Sequence, residues 1–239
     1  MISETRGNTE IKTAIKLPEF LKKPLTLPEK FTHQFARHAQ SLVWFILYPL
    51  FRSFFKIEIN GKEHLKDLPA SLIIVSNHVS FYDSFLFSVV LGPYAPQLPL
   101  RFMAVNKFDW KFLDALNRIG VIPFIYSLFS VFIVTLGAGL DKNLAEAKRA
   151  LAHNQSVVIY PEGGLNRGDA LLPFRRGASA LAVETEKDIL PVAFKITKRP
   201  WKRGVVRINI GQTFKLERNL NYEKGTEIIY QRVNEIFVK

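Results

Sequence analysis

His78 and Asp83 stand five positions apart in Ser76-Asn77-His78-Val79-Ser80-Phe81-Tyr82-Asp83, directly after the apolar run Leu72-Ile73-Ile74-Val75. A carboxylate that holds one ring nitrogen of an imidazole as N–H leaves the other free to take a proton from a hydroxyl. General-base help of this kind is worth about 10²–10⁴-fold in rate. In a continuous helix, positions five apart point in different directions. With His78 in the loop and Asp83 in the first helical turn, the chain can fold the ring back onto the carboxylate. The same residues have a plainer reading, because Ser80-Phe81-Tyr82-Asp83 has the form of a capping box whose acid satisfies backbone donors. Both readings stand. One His and one Asp supply too few ligands for a metal, so neither metal nor cofactor is expected.

A second segment, Tyr160-Pro161-Glu162-Gly163-Gly164-Leu165-Asn166-Arg167-Gly168-Asp169, also follows an apolar run. Gly163 and Gly164 let the backbone approach a ligand and offer N–H groups to an anion. Arg167, and further on Arg175 and Arg176, are of the type that grips phosphate bidentately. The alternative is a glycine-rich turn with solvated arginines. No phosphate-binding P-loop is present, and Gly137-Ala138-Gly139 lacks the third glycine of a dinucleotide fingerprint.

The elements that must position these residues alternate in type. Strand patterns occur at 56–61, 72–75, 101–105, 156–160, 189–196 and 205–210, and helical periodicity at 84–91, 141–153, 177–187 and 225–238. Alternation of this kind makes an α/β sheet, and the exits of its strands are where such sheets bind ligands. Residues 1–30 mix charges with Pro18, Pro24 and Pro28 and lack the apolar core of a signal peptide, so they read as a flexible or surface-draped tail. Residues 31–55 read as a membrane-associated helical segment. Ala39 to Phe51 carries no charge, Trp44 and Tyr48 suit the headgroup level, and Arg37, Arg52 and Lys56 flank the stretch. The remainder, 56–239, is one domain. Within it, Ile119 to Leu140 is free of charge, and Pro123, Gly137 and Gly139 argue against one straight helix.

The formal net charge of +12 calls for an anionic partner: a bilayer, a nucleic acid or an acidic substrate. The basic residues are spread along the chain without a recognition-helix or stacking-strand signature, which places nucleic acid last. The absence of Cys excludes disulfides, thiolate nucleophiles and Cys-ligated metals.

Taken in order, the motifs resemble those of the 1-acylglycerol-3-phosphate (lysophosphatidic acid) acyltransferase family over residues 72–191. His78 and Asp83 fit its His-x4-Asp motif, and Gly120-Val121-Ile122-Pro123 its Gly-x-Ile-Pro block. Tyr160-Pro161-Glu162-Gly163 fits Phe-Pro-Glu-Gly, Phe174-Arg175-Arg176-Gly177 fits Phe-Lys-x-Gly, and Leu190-Pro191-Val192 fits the last block. The resemblance implies a mixed central sheet with flanking helices, as in glycerol-phosphate acyltransferases. It implies acyl transfer from acyl-CoA or an acyl carrier protein to the hydroxyl of a lysolipid, without a covalent acyl-enzyme. His78 would be the base and Asp83 its orienting partner. Asn77, Ser80, Lys107, Glu162, Gly163, Arg167, Arg175 and Arg176 would line the substrates, with backbone N–H groups at the helix start receiving the oxyanion. The enzyme would work at the cytoplasmic face of an anionic membrane, bound monotopically or peripherally.

Three departures bear on the acceptor. Gly164 and Leu165 stand where the family writes Thr-Arg, no basic residue follows Gly120-Val121-Ile122-Pro123, and Lys107 lies close in sequence to Gly120. Acyl transfer to another lysolipid, and a non-catalytic basic lipid-binding protein, are the alternatives. Because His78 and Glu162 must share a site, the stretch 119–140 between them is expected as a re-entrant or surface-lying hairpin, or as the wall of an acyl groove.

Overall fold

The run read as a strand buried on both faces forms the central strand Ile73–Ser76, and all four of its residues are buried. A strand without a polar face needs cover on both sides. The computed structural model describes residues 27–80, 83–105, 111–134, 139–199 and 202–238. Most of the expected tail therefore lies outside the described residues, as does Lys107.

In chain order, α1 (Leu27–Phe54) leads directly into β1 (Phe55–Asn60), followed by β2 (Ile73–Ser76), α2 (Asp83–Leu91), β3 (Leu100–Val105), α3 (Lys111–Arg118) and α4 (Val121–Leu128). Then come β4 (Val131–Val134), α5 (Leu140–Ala152), β5 (Ser156–Ile159), α6 (Gly177–Thr185), β6 (Ile189–Arg199), β7 (Lys202–Ile210) and α7 (Tyr222–Phe237). The seven strands lie in the order β1-β7-β6-β2-β5-β3-β4. β6, β2, β5, β3 and β4 are mutually parallel, whereas β7 runs back along β6 and β1 follows β7. The expected mixed sheet with flanking helices is present.

Alternate residues feed two cores, as strand periodicity requires. Ile73 and Val75 join Val157, Ile159 and the inner faces of α5, α6 and α7. Leu72 and Ile74 join Leu86, Phe87, Leu100 and Phe194 beneath α2, with Phe51 of α1 packed against them. α6 and α7 meet closely: a Cβ on Gly225 would lie 2.2 Å from Ser179 Oγ.

Helix α1 is fixed to the sheet by polar side chains. The buried Gln40 amide donates to Leu100 O at 2.9 Å and to Phe129 O at 3.2 Å, and its Oε1 accepts from Leu100 N at 2.9 Å. Ser41 donates to Pro93 O at 2.7 Å, and Arg37 reaches Leu98 O at 3.2 Å. The outer side of the same helix exposes Phe35, Leu42, Phe45, Ile46, Leu50 and Phe54. Among the described residues, no helix is long and apolar enough to cross a membrane.

Of the charge-free stretch 119–140, the described residues form a helix and an edge strand. Val121–Leu128 is helix α4, packed against α1, and Val131–Val134 is an edge strand parallel to β3. β-branched Val131, Ile133 and Val134 suit the pleated edge. The chain thus returns from α4 into the sheet.

Candidate active site

Strand β2 ends on a buried polar strap. Asn77 Nδ2 donates to Phe194 O at 2.9 Å, and Phe194 N donates to Asn77 Oδ1 at 2.8 Å. The amide continues the β2–β6 ladder by one step with a side chain. Asn77 is thus buried, with both ends of its amide turned to β6 and not to the rim, an arrangement that positions the strand exit. The chain then turns out, and His78 stands at the rim with its side chain 22% exposed.

Asp83 opens α2 and is fully buried. Its Oδ2 accepts from His78 Nδ1 at 2.9 Å, Val79 N at 2.7 Å and Ser80 N at 3.1 Å, and its Oδ1 accepts from Ser80 Oγ at 2.6 Å. Both contacts expected from the sequence are present, since one carboxylate caps the turn and holds the imidazole. An acid at a helix N-terminus is further favoured by the helix dipole. With Nδ1–H committed to Asp83, Nε2 is the acceptor nitrogen, and it has no partner among the described residues. Ser80 gives its hydroxyl proton to Asp83 and so helps to hold the carboxylate. The amides of Val79 and Ser80 are spent in the same way, which removes these two helix-start donors from the expected oxyanion set.

Strand β5 brings the second segment alongside. The Tyr160 ring stacks on His78, with centroids 4.1 Å apart and planes 20° from parallel. Burial, and then the charge of Asp83, holds the Tyr160 phenol well above its ordinary range, so it stays protonated. The sequence reading missed this contact.

Glu162 is buried and fully engaged. Its Oε1 accepts from His78 N at 3.3 Å, and its Oε2 from Asn166 Nδ2 at 2.6 Å and Leu172 N at 2.9 Å. Asn166 N in turn donates to His78 O at 2.6 Å. The main chain of His78 is thus gripped on both sides by the loop after β5. Glu162 is a positioning residue, and Asn166, absent from the expected set, is its partner.

Gly163 adopts a left-handed φ of 74°. A Cβ there would lie 2.5 Å from Arg175 Nε, so the guanidinium passes directly over this glycine. Arg167 is exposed on the same loop. Arg176 points elsewhere, pairing with Glu223 of α7 at 2.7 Å. The start of α6 separates the two adjacent arginines, and Arg176 is withdrawn from the phosphate-contact set. His78, Asp83, Gly163, Arg167 and Arg175 thus gather at the exit of β2 and β5.

A family model described as Acyltransferase matches residues 56–195. The 1-acyl-sn-glycerol-3-phosphate acyltransferase of Limnanthes douglasii is 28% identical over 155 residues, covering 64% of this chain and 50% of that protein. The human beta form is 29% identical over 153 residues, covering 63% and 50%, and the Haemophilus influenzae enzyme 29% over 171 residues, covering 68% and 65%. The chain spans about half the length of the first two of these relatives. The crystal structure of the 1-acyl-sn-glycerophosphate acyltransferase of Thermotoga maritima aligns with a TM-score of 0.49 at 17% identity, over 86% of this chain and 78% of that one. The matched span takes in β2, the His78–Asp83 pair and the Glu162 loop, and this chain belongs to the acyltransferase family.

Proposed function

We propose that the chain transfers a fatty acyl group from an acyl-CoA or acyl carrier protein thioester to the free hydroxyl of a lysolipid, with 1-acylglycerol-3-phosphate as the first acceptor to test. The observation that carries this reading is the 2.9 Å bond from His78 Nδ1 to a buried Asp83, which leaves Nε2 as the acceptor nitrogen of a partly exposed ring. His78 Nε2 takes the acceptor's hydroxyl proton as its oxygen attacks the thioester carbonyl. The C–O bond forms, the tetrahedral adduct collapses, the C–S bond breaks, and the imidazolium returns its proton to the departing thiolate. No covalent acyl-enzyme is needed.

Arg167 and Arg175 are the residues we assign to an anionic headgroup. A second acceptor class, a lysolipid without a phosphomonoester, is favoured by the exposed Leu165 and Leu172 on the same loop. We further propose that the enzyme works on a membrane surface, at the cytoplasmic face. The exposed row Phe35, Leu42, Ile46, Leu50 and Phe54 on α1, with Phe124 on α4 beside it, is the apolar contact. The test is thiol release from an acyl thioester over a panel of lysolipids, with products identified by mass. Acylated lysolipid and stoichiometric thiol are expected; thiol release without an acylated lipid, or no release with any acceptor, would overturn the reading.

The Tyr160 stack gives a further expected result. An aromatic pair is worth about 0.5–1.5 kcal/mol, or roughly two- to tenfold. Tyr160→Phe keeps the stacked face and should stay near the wild-type kcat. Tyr160→Leu should lose up to about tenfold in kcat at unchanged KM, and with it the ring-current displacement of the His78 proton resonances. Equal losses in both variants, with those resonances unmoved, would reduce Tyr160 to core filler.

A further inference from the structure

The loop that carries Arg167 and Arg175 is pinned at its far end as well as at Glu162. Between β5 and α6 the chain forms no helix or strand over residues 160–176, and Arg175 N closes the loop by donating to Pro161 O at 2.8 Å. On either side of Arg175 stands a residue held by α7. The Phe174 ring meets Tyr230 edge to face, with centroids 5.1 Å apart and planes at 77°. Arg176 pairs with Glu223 at 2.7 Å. Three successive residues are therefore anchored, two by side chain and one by main chain.

Arg175 itself is exposed, and its guanidinium crosses Gly163. An exposed arginine samples many rotamers, and that freedom is lost when it grips an anion. Here the main chain around it is fixed, and Gly163 offers a floor without a side chain. A group set in place before the ligand arrives binds more tightly, because less ordering remains to be done.

Helix α7 does not need these two contacts to stay on the sheet. Ile229 and Val233 are buried in the core, Gly225 abuts Ser179, and Tyr222 donates to Glu184 Oε1 at 3.0 Å. Asn221 caps the helix by accepting from Glu223 N at 2.8 Å, and so fixes the first turn that carries the Glu223 carboxylate. The helix is a firm wall against which residues 174–176 are braced. It lies beyond residues 56–195, the span shared with the family.

We propose that α7 presets Arg175 for an anionic headgroup. Tyr230 and Glu223 are positioning residues, acting through Phe174 and Arg176, that set the affinity for a phosphorylated acceptor. This rests on the assignment of Arg175 to the acceptor headgroup made above. The chemistry should not follow, because His78 is held by Asp83, Glu162 and Asn166.

The test uses the full chain and two acceptors with the same short acyl chain, 1-acylglycerol-3-phosphate and monoacylglycerol, kept below their aggregation concentrations. Kd is read by calorimetry, and KM and kcat by thiol release. Tyr230→Leu keeps apolar bulk but loses the edge-to-face contact. It should raise Kd and KM for the phosphorylated acceptor roughly three- to tenfold, at unchanged kcat and unchanged Kd for monoacylglycerol. Tyr230→Phe keeps the ring and should keep the wild-type constants. Glu223→Gln, at the surface, probes the same brace without touching the core. Removing a carboxylate would by charge alone favour an anion, whereas loss of the brace predicts weaker binding, by a smaller factor than Tyr230→Leu. Arg175→Gln should raise the same constants at least about tenfold and erase the effect of Tyr230→Leu in the double variant.

If the losses of Arg175→Gln and Tyr230→Leu add, or Tyr230→Leu weakens both acceptors alike, α7 acts on the fold and not through Arg175. A Glu223→Gln variant that binds the phosphorylated acceptor as well as the wild type or better, or a wild type that binds the two acceptors equally, also overturns the assignment. Absence of thiol release beside a Tyr230-dependent Kd would defeat the acyl-transfer reading and leave the positioning intact.

Discussion

His78→Ala is expected to lower thioester consumption by at least about 10³-fold while vesicle binding stays at the wild-type level. The size follows from the double use of Nε2, as the base that takes the acceptor proton and the acid that returns it to the thiolate. Each transfer is worth about 10²–10⁴-fold. Residual turnover comes from holding the two substrates together. The fold should tolerate the change, because the ring sits at the rim and Asp83 keeps the donors Val79 N, Ser80 N and Ser80 Oγ. The clamp from Glu162 and Asn166 acts on the main chain of residue 78 and survives truncation of the side chain. A loss of only a few-fold, at an unchanged unfolding transition, would return the chain to the alternative of a basic lipid-binding protein without catalysis.

How far the sequence could be read depended on the distance between partners. Leu72 to Val75 announced a strand buried on both faces because every residue there is apolar, and β5 and β6 do flank it. His78 and Asp83 were legible because their contact is local. Tyr160 was named as part of a motif, but its stack on His78 arises only once β5 is laid beside β2, joining rings that are 82 positions apart in the chain. The role of Asn77 is hidden for a related reason: its partner is the backbone of Phe194, which no local pattern reveals. Gln40 interrupts an apolar run and gave no signal that it fastens α1 to β3 and to Phe129. β4 was hidden because its four residues share their apolar character with the helix before it. Composition marks such a stretch as buried or membrane-facing but does not choose between helix and edge strand.

Asp83→Ala is expected to cost about 10²–10³-fold in thioester consumption and on the order of 2–4 kcal/mol in stability. Truncation frees the imidazole to rotate and to take the wrong tautomer. It also leaves the amides of Val79 and Ser80 and the Ser80 hydroxyl without their acceptor, and each unmet donor costs about 1–3 kcal/mol where water cannot reach it. Asp83→Asn separates orientation from charge. The Oδ2 position faces three N–H donors, so the asparagine must place its carbonyl oxygen there and turn its NH₂ toward Ser80 Oγ, whose hydroxyl can rotate to accept. The turn is then kept, and so is the tautomer with Nδ1–H. What is lost is the negative charge opposite the imidazolium, the difference between a charged and a neutral hydrogen bond, roughly 1–2 kcal/mol or about five- to thirtyfold in rate. Asparagine should therefore lie between wild type and alanine in turnover and close to wild type in thermal stability. If asparagine proves as inactive as alanine while folding normally, the carboxylate does more than orient and stabilise the ring; if alanine turns over like wild type, the imidazole does not depend on Asp83 at all.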